Sequence, residues 1–118
     1  MSIGENSFPN NYTFRQEEYE KVLGLFSILQ KDITSTVNLP DKTRIKLLQK
    51  LEEVILYFET NVKNLDVFWS FIGRSEIAFR VYKNNQIPDS FRELAKLVWQ
   101  VQCRNEGRPP NSTPPILF

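Results

Sequence analysis

Apolar residues recur along the chain at intervals of three and four through most of its length. Tyr19, Val22, Leu23, Phe26, Leu29 and Ile33 make the first such stripe, the signature of a helix with one face turned to a core. Thr13-Phe14-Arg15-Gln16 has the form of a capping box, and Glu17, Glu18 and Glu20 follow in the first turns. There the helix dipole favours negative charge. The stripe fades in the β-branched run Ile33-Thr34-Ser35-Thr36-Val37 before Leu39-Pro40.

A second stripe begins after Pro40 and Asp41. Leu48, Leu51, Ile55, Phe58, Val62 and Leu65 alternate spacings of three and four in the manner of a bundle seam. Lys46, Lys50, Glu53 and Glu59 fall off that seam. Asn64 or Asp66 is suited to start a third helix. No proline or glycine forces a break there, so one uninterrupted helix from Asp41 to about Lys83 fits the same pattern.

The third segment is the most apolar. Val67, Phe68, Phe71, Ile72, Ala78, Phe79, Val81 and Tyr82 cover over half of its circumference, leaving a wedge of Trp69, Glu76, Arg80 and Lys83. That distribution predicts a helix in the middle of a bundle. Asn84 to Pro88 reads as a turn. Ser90-Phe91-Arg92-Glu93 forms a second capping box, and Phe91, Leu94, Ala95, Leu97, Val98 and Val101 line a last helix. Gly107 and Pro109-Pro110 stop it.

The predicted fold is all-α: a small four-helix bundle over about 14–35, 41–63, 66–84 and 89–105. Residues 1–12 form a flexible arm, 13–107 the bundle domain, and 108–118 an extended proline-rich tail of polyproline II character.

Composition removes several functions. The chain has no histidine, a single cysteine and 4 glycines in 118 residues. A Ser-His-Asp triad, a His/Cys zinc site and a glycine-rich phosphate loop are therefore not expected, and no cofactor is. Cys103 has no histidine to activate it. Glu17 and Glu20 share a helix face, but bundle metal sites gather carboxylates from several inward faces, and here those faces are apolar. The balance of 15 basic and 14 acidic residues gives a net charge of +1, too little for a general nucleic-acid coat. No run approaches a membrane-spanning length and no signal peptide opens the chain, so a cytoplasmic protein without membrane attachment is expected. The glycosylation patterns at Asn11 and Asn111 then read as chance.

The candidate functional residues are those of an interaction module: an adaptor, assembly factor or regulator, not an enzyme, that binds a protein partner or a second copy of itself. Leu25 and Ile28 on the first helix, with Ile45 and Leu56 on the second, lie off the core stripes and form a candidate second buried surface. Trp69 and Trp99 are candidate hot spots of binding. Glu76 and Arg80 are spaced to pair, and Arg74 falls in phase between Val67 and Val81 on the apolar side. Ile116, Leu117 and Phe118 are expected to dock on the bundle, a second subunit or another protein. The alternative is an RNA- or DNA-associated bundle that uses Arg92, Lys96, Arg104 and Arg108, since residues 67–118 carry an excess of basic charge.

Overall fold

Apolar residues at helical spacing can leave water only by turning their stripes toward one another, and four helices do so here. A computed structural model describes residues 12–60, 65–83, 86–109 and 111–115. The helices are α1 (Gln16–Ser35), α2 (Asp41–Thr60), α3 (Asp66–Tyr82) and α4 (Asp89–Glu106). Neighbours run antiparallel. Phe58 of α2 meets Phe68 at the start of α3, while Leu47 lies beside Ala78 near its end. Phe79 meets Phe91 and Trp69 meets Trp99 between α3 and α4. Glu18 reaches Arg104 and Asp32 reaches Ser90 between α1 and α4. The result is an up-down-up-down bundle.

Helices α2 and α3 are therefore separate and folded back on each other, not one long rod. Leu65, at φ −114° and ψ 17°, stands just outside the helical region before α3, and its side chain is buried. Helix α3 runs unbroken through Gly73, which puts Ser75 in mid-helix, fully buried.

The core is aromatic at its centre. Phe26, Phe68, Phe71, Phe79 and Phe91 are all fully buried. Phe58 makes edge-on contacts with Phe14, Phe26 and Phe68, and Phe91 stacks on Phe71 with centroids 5.9 Å apart. Such pairs add to the burial of apolar area by about 0.5–1.5 kcal/mol each.

Several local expectations shift. In α2 the deepest line is Leu47, Leu51, Val54 and Phe58, whereas Leu48 and Ile55 are half-buried. Helix α2 packs against both α1 and α3, so its buried arc is broader than a two-position seam. Val62 lies outside the described residues. In α3, Val81 and Tyr82 are exposed, so this helix has an open side and does not sit at the centre of the bundle.

Both helix starts differ from the predicted capping boxes. Arg15 is the N-cap of α1, with its N–H donated to Glu18 Oε1 at 2.8 Å. Pro88 is the N-cap of α4, and Ser90 Oγ instead donates to Asp32 Oδ2 of α1. At the far end of α4 the predicted stop is present. Gly107 adopts φ +71°, and the Arg108 N–H reaches the Cys103 carbonyl at 2.8 Å, a Schellman closure that favours glycine. The carbonyls at the end of α1 are capped from α2, where the Arg44 guanidinium donates to Ile33, Thr34 and Leu39 oxygens at 2.6–3.0 Å.

Candidate interaction surface

Of the polar side chains that sequence patterning singles out, Arg104 and Arg108 lie in one network, where the segment before α1 meets the end of α4. Arg104 makes a two-pronged bond to Glu18, 2.7 and 2.9 Å, and also donates to the Thr13 carbonyl at 2.9 Å. Asn105 holds Thr13 from the other side, accepting its N–H at 2.9 Å and donating Nδ2 to its carbonyl at 3.1 Å. The hydrogen bonds from Arg104 hold the Glu18 carboxyl below its usual range, and the same bonds raise the guanidinium.

Beside this clasp, Glu106 accepts from Tyr12 Oη, Gln102 Nε2 and Arg108 Nε. Burial works to raise its pKa, but the three donors outweigh it and the carboxyl ends below its usual range. Tyr12 is pushed up to about 12, first by burial and then by its bond to Glu106. Gln102 passes the network inward by accepting the Trp69 indole N–H at 2.8 Å. Trp99 donates its own indole N–H to the Ser112 carbonyl at 2.9 Å, and the Arg108 guanidinium sits 6.0 Å from the Trp99 ring centroid. The Cys103 thiol is buried there, and burial raises its pKa.

This arrangement alters the expected roles of several residues. Trp69 and Trp99 are 9% and 8% exposed and pack edge to face with centroids 6.1 Å apart. They fill the seam between α3, α4 and the tail, so they are not surface anchors. Leu25 is likewise buried. It lies midway between Glu18 and Asp32 at heptad spacing, and both of those residues reach α4. The line they share faces α4, not solvent. Of the four cations in the nucleic-acid alternative, Arg104 and Arg108 are in ion pairs, while Arg92 and Lys96 stay exposed on α4. In the tail, the Ser112 N–H bonds to the Pro109 carbonyl at 3.1 Å. Ile116, Leu117 and Phe118, and the arm up to residue 11, lie outside the described residues.

The exposed apolar residues sit elsewhere. Ile28 and Ile45 are exposed as expected. Leu56 of α2 and Ile77 and Val81 of α3 are 61%, 63% and 64% exposed, and α2 and α3 form a groove of two parts that adjoin at Glu53. Its larger part, about 450 Å³, has Leu47 and Ala78 at its floor, with Lys46, Lys50, Glu53 and Arg74 at its edges. Glu53 also borders the next part, about 300 Å³, lined by Leu56, Tyr57, Thr60 and Val67. Arg74 therefore faces outward into this groove, where the unbroken helix places it in line with Ile77 and Val81, and is not turned toward the core. The Glu76–Arg80 pair forms as its spacing predicts. Sequence reasoning missed Ile77, Val81 and Lys46 as a group, because helix phase alone does not reveal which side of α3 stays uncovered.

Among the described residues no helix is long and apolar enough to cross a membrane, and no cluster of three or more His, Cys, Asp or Glu could hold a metal ion. No protein-family model matches the chain, and no match is found among curated proteins or solved structures.

Proposed function

We propose that this is a small non-enzymatic interaction module of the cytoplasm, an adaptor, assembly factor or regulator, that binds another protein through the open side of α2 and α3. The observation that carries the reading is Leu56, exposed in a two-part groove on α2 and α3, together with Ile77 and Val81 exposed on α3, in a bundle whose core is already filled. Scattered apolar surface residues need no explanation, whereas large ones bordering one concavity favour a partner. Four helices from one chain close the core, so self-association as a homodimer adds a surface and is not a condition of folding.

The test compares capture from native lysate, treated with nuclease, by wild type and by Leu56→Glu/Ile77→Glu. Both side chains are mostly exposed, so thermal stability is expected to change little. A protein retained by wild type and lost from the variant is the expected result. Equal retention by both would show that the surface is wrongly assigned, and retention that disappears with nuclease would favour the nucleic-acid alternative. Static light scattering of the pure protein separates self-association from a foreign partner.

A further inference from the structure

The charge around the groove narrows what it can hold. Lys46, Lys50 and Arg74 stand at its edges against a single carboxylate, Glu53. That carboxylate is already bonded to Lys50 at 3.2 Å. Among the described residues, neither Lys46 nor Arg74 has an ion-pair partner. Both therefore stand ready to meet negative charge from outside, next to apolar side chains that need cover.

The shape narrows it further. The groove follows two antiparallel helices from the level of Thr43 to that of Thr60. At 1.5 Å per residue this is about 25 Å, or some five turns of helix. Leu47 and Ala78 lie near one end, and Leu56 and Val67 lie near the other. A third helix fits such a furrow with side chains at i, i+3, i+4 and i+7. A flat bilayer surface would touch the rim but could not reach Leu47 and Ala78 on the floor. A second copy presenting the same face would add its own three cations to the patch, and like charges in contact disfavour that pairing.

The geometry points to the α2–α3 groove as the docking site for an acidic amphipathic helix of a partner protein. Apolar residues of that helix would cover Leu47, Ala78, Leu56 and Val67. Its carboxylates would meet Lys46 and Arg74. This inference rests on the interaction-module reading and assigns it a partner chemistry.

The test replaces Gln49, exposed at the groove edge, with p-benzoylphenylalanine in the full-length chain. A second chain carries the same photoprobe at Gln100, exposed on α4. After irradiation in native lysate, adducts are mapped by peptide mass spectrometry. The expected adduct at position 49 is a segment with apolar residues at helical spacing and flanking Asp or Glu. Its yield should fall at least tenfold when Lys46→Glu and Arg74→Glu are introduced, with the circular dichroism melt unchanged. If that variant fails to fold, Lys46→Gln with Arg74→Gln is used, with a smaller loss expected. An adduct at position 49 to a second copy of this chain, to lipid, to nucleic acid or to a non-acidic segment overturns the inference, as does a yield indifferent to the charge changes. Protein adducts confined to position 100 would sink the groove assignment yet leave an interaction module standing. The absence of protein adducts at both positions would sink both.

Discussion

Replacing Arg104 with methionine removes three charge-assisted hydrogen bonds at once, two to Glu18 and one to the Thr13 carbonyl, while keeping most of the apolar stem. An exposed ion pair of ordinary geometry contributes about 0.2–1 kcal/mol, and a bidentate guanidinium–carboxylate pair sits at the upper end or above. Arg104 is about one-third exposed, whereas the Glu18 side chain is only 16% exposed. After the change Glu18 retains the Arg15 N–H, and Thr13 retains Asn105. We expect a loss of about 1–2 kcal/mol, or roughly 4–8 °C in the melting temperature of a domain this size.

The pH dependence carries a sign. Glu18 has its carboxyl lowered by Arg104, so its contribution is present above the unfolded carboxylate pKa and is lost as pH falls through the folded value. Stability of wild type should therefore drop more steeply below about pH 4.5 than that of Arg104→Met. A double-mutant cycle with Glu18→Gln, followed by urea unfolding at pH 7 and pH 3, measures the coupling. Coupling below about 0.3 kcal/mol at pH 7, or the same value at both pH values, would refute the argument.

Three further outcomes follow from the same structure. Ser75 Oγ is buried with no hydrogen-bond partner among the described residues, so Ser75→Ala should raise stability by about 1 kcal/mol in calorimetry, and a clear loss would mean the hydroxyl is satisfied. Tyr12, pushed up to about 12, should appear in an ultraviolet titration as a late-ionising phenol. Its stabilisation persists below the unfolded value near 10 and vanishes as pH rises through about 12, and Glu106→Gln should bring the titration down. Removing residues 109–118 takes away the Ser112 carbonyl that accepts the Trp99 N–H. This should lower the melting temperature and shift tryptophan emission to the red, whereas an unchanged spectrum would show that the tail leaves Trp99 uncovered.

The course of the chain is legible in its sequence because helix position depends on local periodicity and on a few conformational stops. The apolar stripes, Pro40, the turn before Pro88 and the left-handed Gly107 set four helices close to their observed bounds. Phase within each helix is less legible, since a stripe shows that a side is buried but not how many neighbours it meets. Leu25 is off the first stripe yet buried, because α1 faces α4 as well as α2.

Capping and polar pairing escape local reasoning for a different cause. Ser90 is a good cap in isolation, yet its hydroxyl is taken up by Asp32, 58 residues away in sequence, and Thr13 is held through its backbone by Asn105, 92 residues away. Trp69 and Trp99 could be anchors for a partner or members of a core until Gln102 and Ser112 are seen to hold their indole N–H groups. The candidate surface is the least legible part. Val81 reads as a core residue in the sequence, and only the packing of α3 against its neighbours among the described residues leaves it 64% exposed. Local spacing thus fixed which segments are helical. The packing of helices against one another decided which apolar and charged residues remain for another molecule, since exposure is a property of neighbours that no single helix contains.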